Sequence, residues 1–423
     1  MFYNKLEIKE KKVFNLHLIF SLLEGTVVGV TLMNEFVFLR SLQGTEFLTG
    51  VLFFVTMGVF MSLILLNELI RRSHNKKKLI RVTALVTRIP LLLFLFFPAQ
   101  ITAENASYLH FAFILIFFFY FMGTTLTLPT INLLLRDNYR QNLFGKLYGY
   151  SATAQKIMTL LGTFFFGQLL YHDYFIFRYV YPSIGILSII VLFSLSTIPF
   201  SSQQAIPKTK LKTSLKNSIK RMVNILKKDK AFRHFEMAFF SYGIAFMITS
   251  TVITFFLESF LQLSYSSIST YKSGAGIVTV LALPLLGILS DKIDPRKFGI
   301  ITFSAMLLYV LFIMVTEYFN SNFLIGRIEV YYTLIIAFLC YGIFAAAGTL
   351  SWNIGSAFFS KDATDSADYQ SVHISLTGIR SMIAPIGVII YKLLGYKYTF
   401  GLSILFVFLA IVILKYSISK TSK

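Results

Sequence analysis

Charged side chains stand inside long apolar runs of this 423-residue chain, among them Glu24, Glu35, Arg88, Lys156 and Arg380. Glu24 lies near the middle of the first run. Glu35 follows three helical turns later on nearly the same face, close to the end of that run. Arg88 sits midway along the third. Lys156, with Gln155 beside it, lies about half way along the fifth, and Arg380 lies at the matching level of the eleventh. A charge at the centre of a bilayer costs about 2.5–3.5 kcal/mol even on the lenient insertion scale, so each needs a reason. A carboxylate there is a candidate proton carrier. A cation there is a candidate partner for an anion, and Arg can grip one with two prongs. The competing reading is an internal ion pair, for instance Lys156 with Glu24. Arg88 reads more simply as structural or snorkelling. His373, at the start of the eleventh run, reads as a satisfied helix-end histidine before it reads as a proton relay.

The elements that must hold these groups are membrane helices. The chain is 56% hydrophobic and 14% charged, with a mean hydropathy of +0.71; a soluble domain carries about 25% charged residues. A bilayer core takes about 20 apolar residues per helix. Blocks of that size fall at 13–38, 47–66, 80–98, 108–131, 147–170, 176–199, 235–257, 268–289, 299–316, 331–352, 371–391 and 398–415. The lysine-rich start runs into the first block without a small-residue cleavage site, so that block is expected to be a retained span. The expected class is an all-α integral membrane protein with twelve transmembrane helices in two pseudo-symmetric six-helix bundles.

The net charge of +20 follows the same layout. With the N-terminus inside, 30 of the 39 Lys and Arg fall on the inner side; only Arg40, Arg178, Arg327, Lys392 and Lys397 fall outside. That bias predicts both termini in the cytoplasm. An odd number of spans would scramble it. It also accounts for the basic excess without nucleic acid. Residues 1–200 are then an N-terminal bundle, 201–233 a basic cytoplasmic linker, and 234–423 a C-terminal bundle. Within the linker, Leu215, Ile219, Met222, Val223 and Leu226 recur at helical spacing between lysines. This suits an amphipathic helix on anionic lipids, read either as a docking helix or as a solvated linker that fixes topology. The single cysteine, Cys340, can form no internal disulfide, and no Cys/His cluster has metal spacing.

The two halves resemble each other. Leu42-Gln43 matches Leu261-Gln262 at an offset of 219 residues, and Lys76-Lys77 matches Arg296-Lys297 at 220. The fifth and eleventh blocks align at 224, which sets Ser151 on Ser375, Thr153 on Thr377, and Lys156 on Arg380. Nearly constant offsets in order argue for duplicated six-span halves.

With Gly287-Ile-Leu-Ser-Asp291 followed by Arg296-Lys297 between the eighth and ninth blocks, and Gly44-Thr-Glu-Phe-Leu-Thr-Gly50 entering the second, the chain resembles the major facilitator superfamily of transporters. The resemblance extends to the twelve-span layout. In the first half the loop pattern reads Asn67-Glu68-Leu-Ile-Arg71-Arg72, without the glycine, and Arg71 stands where Asp291 stands in the second copy; Glu68 is one turn earlier. The resemblance implies a central cavity between the halves, lined in part by the first, fifth and eleventh spans. Glu24, Lys156 and Arg380 are then expected to face it. Two cations at one depth, one per half, suit an anionic solute held by Lys156 and Arg380, with Gln155, Tyr242 and Asn353 as further contacts, and a carboxylate in a low-dielectric cavity makes Glu24 the candidate for proton coupling. Asn132 is a weaker cavity candidate. Gly287, Asp291, Arg296, Lys297, Glu68 and Arg71 would form the inner gate, where Asp291 meets a helix N-terminus and Arg296 and Lys297 reach the other half or lipid phosphate. The same residues can be a charged loop that only sets topology.

The chain contains no phosphate-binding loop, no His-Glu-x-x-His and no Gly-x-Ser-x-Gly, so no enzyme and no cofactor is expected. Efflux of hydrophobic or cationic drug-like compounds is the alternative among transporters, which the many phenylalanines suit. A channel, scramblase or signalling protein is the alternative of another class. A monomeric symporter in a bacterial inner membrane is the expectation. Gly149, Gly162 and Gly167 in the fifth block are spaced for close helix packing. Asn105-Ala-Ser107 is a glycosylation sequon.

Overall fold

The computed structural model describes residues 6–73, 75–199, 211–290, 292–319, 321–359 and 363–421. Its helices are α1 (Ile8–Thr31), α2 (Asn34–Phe36), α3 (Glu46–Gly58), α4 (Leu63–Arg72), α5 (Lys76–Arg88), α6 (Ala103–Asn138), α7 (Gln141–His172) and α8 (Phe177–Leu195). There follow α9 (Leu211–Lys228), α10 (Lys230–Phe255), α11 (Tyr265–Ser290), α12 (Pro295–Thr316), α13 (Tyr332–Ile354), α14 (Ala363–Ser381) and α15 (Ala384–Thr421). Among the described residues, nine helical runs are long and apolar enough to cross a membrane, and Glu46–Ser62 is a shorter apolar one. The last run, Tyr369–Lys420, is not one straight helix. Gly395, at φ 80°, divides α15 in two.

The chain divides into two compact units. The first holds residues 1–43 and 65–214, the second 44–64 and 215–423. In the first, α1 lies against α7, and α5 against α6 and α8. The α1–α7 seam is made by glycine. A Cβ on Gly29 would meet the backbone of Thr159 and Thr163, and one on Gly162 the carbonyl of Thr26. Thr163 Oγ1 donates to the Gly29 carbonyl at 2.9 Å across the seam. Gly149 has open space around it, so of the fifth-block glycines it serves no such packing. Phe94, Phe113, Phe117 and Tyr181 form an aromatic core in this unit.

In the second unit α10 packs on α15, α12 on α13 and α15, and α11 on α13. Helix α3 belongs here, although the sequence places it in the second apolar block. A Cβ on Gly50 would touch Val388, and one on Gly378 would overlap Met61. Near the start of α3, Glu46 lies 3.4 Å from Lys392 Nζ and accepts from the Tyr391 hydroxyl at 3.4 Å.

Proline decides several local departures from plain helix. Pro90 has no amide to donate to Val86, and the third run continues past Arg88 as a 3-10 helix, Ile89–Phe96. Pro385 leaves the Ser381 carbonyl without its helical donor, and α14 ends there. The antiparallel hairpin of β1 (Asn322–Ile325) and β2 (Ile328–Tyr331) was not expected from the apolar blocks. It turns at Gly326, φ 61°.

The duplicated Leu-Gln pairs occupy duplicated corners. Val37–Ser41 and Phe256–Phe260 are both π-helical turns. Leu42 donates to the Val37 carbonyl at 3.1 Å and Leu261 to Phe256 at 2.9 Å. Gln43 and Gln262 then take φ 53° and 52°, a left-handed conformation that costs a non-glycine residue about 1–2 kcal/mol. Thr45 and Ser264 start the next helices by accepting from Leu48 and Ser267.

Candidate functional site

In the first unit the candidate site is built on α1, α5 and α6. Glu24 is 5% exposed and Arg88 1%. The Arg88 guanidinium is held by the Tyr120 carbonyl at 2.8 Å, by Thr124 Oγ1 at 3.1 Å, and over the Tyr120 ring at 4.1 Å. It is the cation that acts electrostatically on Glu24. Arg88 therefore neither snorkels nor stands alone, and the pairing of Glu24 with Lys156 does not form. Gly25 explains where Lys156 sits. Without a side chain there, α7 approaches until the Gln155 carbonyl lies over Gly25. Lys156 thus rides at the depth of Glu24, but its side chain is exposed. Among the described residues it has no hydrogen-bond or ion-pair partner. Gln155 is half-buried and Asn132 exposed.

In the second unit the site is built on α10, α13 and α14. Arg380 is 2% exposed. Its Nη1 donates to the Phe239 carbonyl at 2.7 Å, and its Cζ lies 5.5 Å from the Tyr242 ring centre and 5.6 Å from that of Trp352. Gly243 makes this possible, because a Cβ there would overlap the Arg380 side chain. Tyr242 stacks on Phe303 at 4.8 Å. One to two turns away, His373 Nδ1 meets Glu236 Oε1 at 2.9 Å, with both side chains buried. Asn353 lies on α13, but its side chain falls outside the described residues.

The expected gate residues are arranged differently from the expectation. Asp291 falls outside the described residues, as does the side chain of Arg71. The cap of α12 is Asp294, three residues on, because Pro295 fixes the first helical position. Asp294 Oδ1 accepts from the Arg296 amide at 2.8 Å, and its carboxylate holds the Arg296 guanidinium at 2.7 Å. Arg296 also donates to the Ser417 carbonyl at 3.2 Å, so these contacts stay within its own unit. Partial burial would push the Asp294 carboxyl up; the hydrogen bonds and charge of Arg296 outweigh this and hold it below the ordinary carboxylate range. Lys297 is exposed, and Gly287 has open space around it. Glu68 pairs with Arg72 at 2.6 Å, one turn along α4.

Three arrangements had little sequence signal. Glu236 stands just after Arg233-His234 and reads as part of a charged flank. Only tertiary packing brings it to His373. Glu10 binds Arg140 through both oxygens at 2.9 and 2.8 Å, joining the start of α1 to the start of α7. Arg88 finds Glu24 across two helices. The one usable signal was burial cost, which applies to Glu236 as much as to Glu24.

The sequence model of the Major Facilitator Superfamily matches residues 31–367. No curated protein sequence matches the chain. Among solved structures, a point mutant of the nucleoside transporter NupG is similar over 97% of this chain and 99% of its own, with 16% identity and a TM-score of 0.69. The inward open xylose transporter XylE from E. coli is similar over 94% of this chain and 95% of its own, with 13% identity and a TM-score of 0.65. A D-xylose-proton symporter is similar over 95% and 96%, with 14% identity and a TM-score of 0.65.

Proposed function

The chain belongs to the Major Facilitator Superfamily, and from that premise we propose that it is a secondary active transporter moving a small anionic solute by alternating access, coupled to protons. The arrangement proposed is twelve spans in two six-helix bundles, residues 1–200 and 234–423, joined by the basic linker 201–233 on anionic lipid. Both termini lie in the cytoplasm of a bacterial inner membrane, and the protein works as a monomer.

One observation carries the anion reading. Arg380 is buried in the membrane-spanning part of its unit with one carbonyl and two ring faces as partners, and its Nε has no hydrogen-bond acceptor. A buried cation is costly; the acid that acts on Arg380, Glu236, makes no contact with it, and an anionic solute bound directly would offset the remaining cost. Lys156, exposed at the pseudo-equivalent position, supplies the second charge, with Gln155, Tyr242 and Asn353 as further contacts. Glu24 carries the coupling proton, and Arg88 is its counter-charge. The symporter among the similar structures moves D-xylose with protons, which supports proton coupling. The inner gate is proposed to use Gly287, Asp291, Arg296 and Lys297 of the second unit and Glu68 and Arg71 of the first. The rings of Tyr242, Phe303 and Trp352 about Arg380 favour a second reading, efflux of aromatic or cationic compounds.

The test is uptake into proteoliposomes of a panel of anionic metabolites and cationic dyes, with and without an imposed pH gradient. Lys156→Gln and Arg380→Gln are each expected to lower gradient-driven anion flux at least about tenfold, as loss of a charge-assisted contact would. Movement of dyes alone, or anion flux indifferent to both substitutions, overturns the anion site.

A further inference from the structure

Glu236 is as deeply buried as Glu24, and nothing in the transport scheme so far uses it or its partner His373. His373 Nδ1 and Glu236 Oε1 are 2.9 Å apart, and the side chains are 0% and 3% exposed. The remaining atoms of the pair, His373 Nε2 and Glu236 Oε2, are buried and have no hydrogen-bond partner. In the form where a neutral imidazole donates from Nδ1 to a carboxylate, both of those atoms are lone-pair acceptors. The pair is therefore one proton short of its capacity, inside a place where open polar valences are costly.

The surroundings leave little else to titrate. From α10 come Glu236 itself and the Tyr242 phenol. From α13 the Trp352 indole stands edge-on to His373 at 5.0 Å. Phe359, in the turn before α14, packs on Phe235, and Phe303 of α12 packs on Phe239. Met61, in the 3-10 turn after α3, meets α14 at Gly378. The Asp229–Tyr369 hydrogen bond lies one turn from His373, toward the start of α14. Glu236 in turn acts electrostatically on Arg380, two turns further along α14 from His373.

We propose that Glu236 and His373 form a proton-binding site of the second unit, and that its occupancy decides whether Arg380 is neutralised from within or left free to hold an anion. One proton passes from hydronium to the pair. It forms one N–H or O–H bond and leaves one water, and no electrons change hands. The empty pair carries one negative charge and balances Arg380. The filled pair is neutral and leaves Arg380 as a net cation. A monoanion entering then restores neutrality, so proton and anion favour each other's binding. This rests on the transporter reading only for its consequence, since the proton site itself can be read without transport.

The chain contains a reporter. Trp352 is its single tryptophan, with the His373 ring at 5.0 Å and Arg380 at 5.6 Å. A protonated imidazole quenches a neighbouring indole. The full chain in lipid nanodiscs is titrated between about pH 5 and 8 with fluorescence excited at tryptophan. A reversible loss of emission on acidification is expected. It disappears in His373→Gln and in Glu236→Gln, is kept in Glu236→Asp, and is unaltered in Glu24→Gln. Emission at pH 8 and the melting temperature show that each variant is folded. With benzoate present as an anionic probe throughout the titration, the transition is expected to move to higher pH in the wild type and not in Arg380→Gln. A flat titration in the wild type, or a transition that survives in His373→Gln, overturns the proton site. A benzoate shift that persists in Arg380→Gln overturns the link to Arg380. Because the signal is occupancy and not flux, neither result depends on the uptake assay.

Discussion

Gly243 of α10 lies under the side chain of Arg380, so close that a Cβ on it would stand 2.7 Å from Cζ and nearer still to Cδ. The offset that sets Leu42-Gln43 on Leu261-Gln262 sets Glu24 on Gly243, and the offset of the fifth and eleventh blocks sets Lys156 on Arg380. The same two positions are filled in opposite ways. The first unit has an acid on α1 and an exposed lysine on α7. The second unit has an empty position on α10, and the arginine of α14 folds into it. Gly243→Ala is expected to push Arg380 out of its cradle. The overlap falls on a side chain that can shift, so the cost belongs at the low end of the overpacking range, about 1 kcal/mol. A thermal melt in detergent would read it. In an Arg380→Gln background the penalty should largely vanish, since the shorter side chain leaves room; an equal loss in both backgrounds would show that Gly243 serves something else.

Arg88 is the interaction whose loss should hurt stability most. It is wholly buried, hydrogen-bonded to the Tyr120 carbonyl and to Thr124, and is the cation acting on Glu24. Arg88→Gln leaves a buried carboxylate without its counter-charge, which costs about 3–5 kcal/mol in pairs of this kind. Adding Glu24→Gln removes the stranded charge and should restore a good part of the melting temperature. A double variant no better than Arg88→Gln would mean that the two residues do not interact.

The corners at Gln43 and Gln262 were legible as a repeat because a left-handed residue after a π turn constrains sequence locally. The membrane class was legible because apolar length is itself the signal. The pairing of the charges was not. Glu24 with Arg88, and Glu236 with His373, join residues far apart in the chain, and a side chain's depth in a helix does not say which neighbour it meets. Lys156 was the natural partner for Glu24 by depth, but the guanidinium on α5 stands on the side that Glu24 faces. The inner loop misled for a local reason: the proline after Asp294, not the spacing from Gly287, decides where α12 begins. The hairpin at Gly326 did carry a sign. A Gly-Arg pair lies between Phe323-Leu-Ile325 and Ile328-Glu-Val330, both β-prone runs with a turn residue between them.

The glycines of α1 and α7 should divide cleanly by what a methyl group would meet. A Cβ on Gly29 would run into the backbone of α7, which cannot move aside without separating the helices. Gly29→Ala is therefore expected to destabilise by at least about 1–3 kcal/mol. Gly149 faces open space, so Gly149→Ala should be neutral or stabilise by up to about 1 kcal/mol through helix propensity alone. Melting temperatures of the two variants side by side are the check, and similar losses in both would undercut the seam as the reason for the glycines.

Asp294 gives a pH dependence whose sign follows from its neighbours. Partial burial works against its charge, but the amide and guanidinium of Arg296 hold its carboxyl below the ordinary range. A carboxyl depressed in the folded state adds stability that is fully present above its unfolded value, about 3.9. That stability is lost as the pH falls through the lower folded value. Asp294→Asn isolates the charge, because asparagine caps a helix about as well as aspartate. The variant is expected to melt below the wild type at pH 7, by the equivalent of about 0.5–1 kcal/mol for a pair whose carboxylate is partly open to solvent. The gap should narrow below about pH 4 and close where the wild-type carboxyl is itself protonated. A gap of constant size down to pH 3 would assign the whole effect to the cap or to packing against Ser417. A gap that opens on acidification would reverse the sign and contradict the ion pair with Arg296.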